Sequence, residues 1–180
     1  MKTIAAHFLR FRPVVTARFA RLLVYLTASL ALVSHTDAFE PKSPEVQALV
    51  KKAVRFLARQ DYFSERERVL AAMALFKAGE PETHPVIAQA KKDCLEWCQS
   101  ESMIDGALNS IYELSVVGLF FCELDPSAYR SQIQRLIRAL EKRQKSFGGW
   151  GYPKPSGDWK TGDTSMAQYA SLFAWTAQAT

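Results

Sequence analysis

Cysteine is scarce in this chain: Cys94, Cys98 and Cys122 are the only three in 180 residues. An odd count offers no disulfide framework. Cys94 and Cys98 stand four apart on an expected helix, a spacing that suits a metal, but only His84 lies nearby and no second Cys or His pair accompanies them. They read as small apolar core residues, and no metal or other cofactor is expected. Unbalanced charge is equally scarce beyond residue 38. The chain carries a net +5, yet Lys2, Arg10, Arg12, Arg18 and Arg21 face Asp37 alone, which leaves 18 basic and 17 acidic residues downstream. So neutral a body lacks the basic footprint of phosphate recognition, and nucleic acid is not an expected partner. The 48% hydrophobic content is enough for a substantial core, so disorder is not the expectation.

A long hydrophobic run is missing too. The longest candidate, LLVYLTASLALV (Leu22 to Val33), falls short of the ~20 residues that span a bilayer. Basic residues precede it, and SHTDA with a small residue at Ala38 follows. That is the order of a secretory signal, so residues 1–38 read as a signal peptide and the mature chain as exported, periplasmic or extracellular. An uncleaved membrane anchor is the alternative, and an ordinary buried helix is a third reading. Membrane association is expected only through this segment.

What the chain does have is a repeat. Pro44, Pro85 and Pro126 follow Ser43, His84 and Asp125, and the prolines are 41 residues apart. Proline suits the first helical position, where its missing N–H has no partner to lose, and Ser43 and Asp125 are good N-caps. After each proline comes a one-faced helical stripe: Val46, Leu49, Val50, Ala53, Val54 and Leu57; then Ile87, Ala90, Cys94, Trp97 and Cys98; then Tyr129, Ile133, Leu136, Ile137 and Leu140. Each is followed by a second helix that is apolar on most sides: Val69 to Gly79, Ile111 to Leu124 and Thr164 to Trp175. Such helices must be enclosed. The expected fold is therefore all-α, built of outer and inner helix pairs with a period of about 41 residues. Either a closed α/α toroid or an open α-solenoid satisfies that pattern; the nearly all-apolar helix around Val116 to Cys122 favours closure.

Between the last two helices lies QKSFGGWG, in which Gln144, Gly148 and Trp150 fit Q-x3-G-x-W. This resembles the QW repeat of squalene–hopene and oxidosqualene cyclases and the related repeat of protein prenyltransferase β subunits. In particular, the chain is similar to exported bacterial proteins carrying prenyltransferase and squalene oxidase repeats. The likeness is strongest over residues 125–176 and rests on the period alone back to residue 44; Gln60 and Gln99 end their outer helices as Gln144 does, but no Gly-x-Trp follows them. On this resemblance residues 39–180 form the N-terminal part of an α/α-toroid domain. A full ring has about twelve helices against six expected here, so the chain reads as about half of one, a fragment rather than a self-pairing half-ring. On physical grounds, the amide of Gln144 can satisfy helix-terminal groups. Gly148, Gly149 and Gly151 let the chain turn sharply, and Trp150 can lie over the junction as an apolar lid with one N–H to place.

The resemblance does not extend to chemistry. Hopene-type cyclases protonate an alkene with an acidic D-x-D-D cluster; laid on this sequence it covers Lys160, Thr161, Gly162 and Asp163, and the proton donor falls on Gly162. Asp163 then reads as a helix cap, with Ser165 and Gln168 as a capping-box alternative. The zinc ligands of prenyltransferases have no counterpart, since Asp93-Cys94 has the wrong spacing. No catalytic residue is therefore assigned. Phe120, Phe121, Tyr169, Phe173 and Trp175 are candidates to line an apolar cavity, where aromatic faces would stabilise a carbocation, although their spacing also suits simple core. The expected function is a noncatalytic toroid that binds an isoprenoid, a lipid or a protein. The alternatives are a segment of an isoprenoid cyclase or prenyltransferase with its acid elsewhere, and an α-solenoid scaffold.

Overall fold

The computed structural model describes residues 40–61, 64–152 and 162–179; the signal reading of residues 1–38, and Lys160 and Thr161, lie outside them. Seven helices and no strand occur among the described residues: α1 (Pro44–Leu57), α2 (Glu65–Lys77), α3 (Pro85–Trp97), α4 (Glu101–Ala107), α5 (Ile111–Leu124), α6 (Arg130–Lys142) and α7 (Thr164–Gln178). The all-α expectation holds. None of these helices is long and apolar enough to cross a membrane. The chain divides at Gln47 into a first unit, of which residues 40–47 are described, and a second, Ala48–Thr180.

Helix starts follow local chemistry. Pro44 and Pro85 open α1 and α3, where His84 caps through Nδ1, accepting from the Val86 N–H at 3.3 Å. Ser64 and Ser110 form capping boxes with Glu67 and Glu113. The third proline behaves differently. Asp125 accepts from the N–H groups of Ser127 and Ala128, both at 2.9 Å, and so caps a turn instead of a helix; α6 begins only at Arg130. An Asp side chain that bonds its own backbone two residues on competes with helix formation, and the helix starts at residues 44, 85 and 130 no longer keep one period. Helix α2 closes as expected beside Gly79, with the Glu80 N–H donating to the Leu75 carbonyl and the Gly79 N–H to that of Phe76.

Helix α4 was not expected. Ser100 caps it through the Met103 N–H, and Ile104 together with Leu108 just beyond it turns inward over one helical turn. Ser100 followed by Glu101 favours a helix start here, while Gly106 weakens so short a helix. Basic side chains of α6 and its C-terminus hold this stretch: Lys142 pairs with Glu101, Arg143 with Asp105 at 2.9 Å, and Arg143 also donates to the Leu108 carbonyl.

In the second unit α5 is the central element. It packs against α2, α6 and α7, and its residues from Leu114 to Cys122 are all buried. Among them Ser115 is the one side-chain polar atom that is buried without a partner among the described residues. Helices α2 and α3 pack together and are joined by Arg68, which donates to Asp93 Oδ2 at 2.5 Å while Gln89 donates to Oδ1 at 2.7 Å.

The expected alternation of enclosed and one-faced helices holds only in part. Helix α5 is enclosed, but α7 buries just Met166, Ala170 and Phe173 and leaves Leu172 and Trp175 outside; among the described helices α5 and α6 are its main neighbours. Helix α1 buries no residue at all: Val54 and Leu57 rest half-buried against the core, while Leu49 and Phe56 are 66% and 62% exposed. The stripes on α3 and α6 do face inward, with Ile87, Ala90 and Cys94 on one and Ile133, Leu136 and Leu140 on the other.

Candidate functional site

An open-sided apolar cleft of about 140 Å³ lies between α2 and α5. Val69 and Leu70 come from α2, and Tyr112, Val116 and Val117 from α5; Trp97 at the end of α3 and Leu108 after α4 complete the wall. Its charged members are Arg66, Glu67 and Glu113. Arg66 Nη1 pairs with Glu113 Oε1 at 2.9 Å, and Nη2 donates to the Ala107 carbonyl at 3.0 Å. Glu113 and Glu67 also accept the N–H groups of Ser110 and Ser64. Arg66 and Glu113 thus neutralise each other and Glu67 is engaged as a cap, and among the described residues the wall offers hydrocarbon and aromatic surface with no Ser, Cys, Lys or His.

None of the five aromatics put forward as cavity lining lies in this cleft. Phe120, Phe121 and Phe173 are wholly buried, Tyr169 is half-buried and Trp175 is 70% exposed. Phe121 stacks on Tyr129 with ring centroids 4.9 Å apart, and Phe173 presses its ring on Gly118. An enclosed helix turns its large side chains into the spaces between helices, so the aromatics of α5 fill volume that a cavity would leave empty. Only Tyr169 comes near the cleft, edge-on to Tyr112 at 5.2 Å. The lining was illegible in sequence because it is assembled from four segments, each contributing ordinary apolar residues.

The Gln144–Trp150 segment forms a joint between α6 and α7, with its roles redistributed. Gln144 does not reach a helix terminus: its amide donates to the Gly148 carbonyl at 2.7 Å and closes the turn on itself. The turn is further held by the Gly148 N–H on the Lys145 carbonyl and the Lys145 N–H on that of Gly149. Of the three glycines here, Gly148 has the positive φ, +89°, that other residues rarely adopt. Trp150 takes the capping part. Its indole N–H donates at 3.0 Å to the Leu140 carbonyl in the last turn of α6, an oxygen that the Arg143 N–H also reaches at 3.2 Å, while the ring packs half-buried against the core. Its own carbonyl accepts the Asp163 N–H at 2.8 Å, which fastens the start of α7.

Asp163 caps α7, accepting the Met166 N–H at 2.8 Å. The capping box weighed for Ser165 and Gln168 gives way to a different bond: the Ser165 hydroxyl donates to the Asp163 carboxylate and also meets the Tyr112 hydroxyl. The Ser165 hydroxyl bond first, then the Met166 N–H, holds the Asp163 carboxyl below its ordinary value. A carboxylate so held stays ionised and is the reverse of a proton-donating acid. Because its folded pKa is depressed, its contribution to stability is present above the unfolded value and is lost as pH falls through the folded one. Asp163→Asn is therefore expected to lower the melting temperature only slightly at neutral pH, where the contribution of the charge is lost while Asn retains the cap. Melting curves from neutral to acidic pH are expected to show a weaker acid dependence than in the wild type.

The three cysteines are free and buried. Desolvation pushes the Cys94 thiol well up and those of Cys98 and Cys122 to about 12 and about 11. They therefore remain neutral thiols in the core. Among the described residues no three His, Cys, Asp or Glu side chains converge as metal ligands. No protein-family model, curated protein or solved structure matches this chain, so its functional reading rests on the cleft, the joint and the helix surfaces themselves.

Proposed function

We propose that the chain is a helix-pair segment of an α/α toroid, similar to squalene–hopene cyclases and prenyltransferase β subunits, that binds the end of an isoprenoid or lipid chain in the α2–α5 cleft without reacting on it. The observation that carries this reading is the cleft wall: seven apolar or aromatic side chains, with the neighbouring Arg66 and Glu113 already paired. A cleft of about 140 Å³ is well below the roughly 300–1,000 Å³ of pockets that enclose a whole ligand. It suits a chain end, not a polycyclic product. The noncatalytic part is supported by Asp163, whose carboxylate is engaged as a cap and kept ionised. Export through residues 1–38 would put this binding outside the cytoplasm, and retention of that segment as an anchor would put it at a membrane surface.

Titration calorimetry with farnesol and with palmitate tests the reading. Saturable binding is expected for the wild type. Leu70 stands half-exposed on the cleft wall, so Leu70→Trp can fill the space without disturbing the core and is expected to weaken binding roughly tenfold or more, about 1.4 kcal/mol. Absence of saturable binding of either ligand, or unchanged affinity in a folded Leu70→Trp protein, would overturn it.

A further inference from the structure

The apolar edge of α1 has no partner among the described residues, and its chemistry is unlike that of the cleft. Leu49, Ala53 and Phe56 follow one another at helical spacing along one exposed line. The adjoining flank carries Lys52 and Arg55, Arg59 follows in the turn just after the helix, and the three gather around Phe56 in a shallow depression. Glu45 is the only acid in the helix, and neither the cations of α1 nor Arg59 take part in the ion pairs found among the described residues. Cations elsewhere in the protein do find carboxylates, as Arg66, Lys77, Lys91 and Arg143 show.

We propose that α1 lies on anionic lipid surfaces, with Leu49 and Phe56 entering the headgroup boundary and Lys52, Arg55 and Arg59 against lipid phosphates. A basic amphipathic helix is the form that serves this task, because apolar insertion and attraction to anionic lipid act together. The width of the apolar line decides the occupant. A stable protein interface needs roughly 800 Å² on each side, more than one line of three residues supplies, whereas a bilayer boundary accepts a narrow wedge. Nucleic acid would match the cations but would leave Leu49 and Phe56 in water. This surface is separate from the cleft, so Leu70→Trp does not touch it.

The test is co-sedimentation of the full chain with vesicles of equal parts phosphatidylglycerol and phosphatidylcholine, set against phosphatidylcholine alone. Tighter binding to the anionic vesicles, weakened by added salt, is expected. Neutralising Lys52, Arg55 and Arg59 together to Gln is expected to weaken binding about a hundredfold, at about fivefold for each charge. Phe56→Ser is expected to weaken it roughly tenfold through lost apolar burial. All four positions are exposed, so circular dichroism should show unchanged helix content. Lys92→Gln, an exposed charge on α3, serves as the control and leaves binding unchanged. Equal binding to both vesicle types, or wild-type binding by the folded triple variant, would overturn the proposal.

Discussion

Gly118→Ala is expected to destabilise the protein by about 1–3 kcal/mol, although alanine is the better helix former by about 1 kcal/mol. Gly118 lies on α5 where α7 crosses it, and a Cβ built there would stand 2.2 Å from Phe173 Cζ and 2.3 Å from Cε2. A flexible side chain could move aside; this ring cannot, because Phe173 is completely buried and packed among neighbours. The overpacking therefore outweighs the gain in helix propensity. Phe173→Ala removes the other half of the contact and is expected to cost about 3–5 kcal/mol as a cavity. The two sites touch, so their effects should not add. Gly118→Ala combined with Phe173→Leu is expected to be more stable than the sum of the single losses, as urea unfolding of the four proteins will show.

Trp150→Ala is expected to cost about 3 kcal/mol. Two losses combine: the ring that covers the joint, and the shorter of the two hydrogen bonds to the Leu140 carbonyl. Trp150→Phe separates them, since it retains most of the apolar surface and leaves the Leu140 carbonyl with only the longer bond from the Arg143 N–H at 3.2 Å. About 1 kcal/mol is expected for that substitution. Thermal melts of both variants check the order, with wild type above Phe and Phe above Ala. Because the Trp150 carbonyl also receives the Asp163 N–H, loosening the joint should expose the start of α7 first. Hydrogen exchange at Met166 and Ala167 is the corresponding readout.

The parts of this fold that were legible in sequence are those set by local chemistry. Pro44, Pro85, the Gly79 stop and the Asp163 cap each act through one or two neighbouring residues, and each sits where its residue type requires. The enclosure of α5 was legible for a related reason, since a helix with almost no polar residue has no face to give to water. What failed depended on competition or on assembly. Asp125 can cap a helix or a turn, and the turn won; Gln144 can reach a helix end or its own loop, and the loop won. Phe120, Phe121 and Phe173 are apolar in either a core or a cavity, and composition does not separate the two. The cleft itself joins Leu70, Trp97, Leu108 and Tyr112 across 43 positions of sequence, and no periodicity marks them as a set. The exposed edge of α1 was hidden by its own pattern, because a strong apolar stripe reads as buried whatever covers it.

The cleft is the centre of this account, and photoaffinity labelling interrogates it most directly. Irradiation with a diazirine-bearing farnesyl analogue, followed by peptide mapping, is predicted to place adducts on the segments holding Leu70, Trp97 and Tyr112 and to lose them under excess farnesol. Competed adducts confined to the segment from Tyr169 to Trp175, or no competed adduct at all, would contradict it.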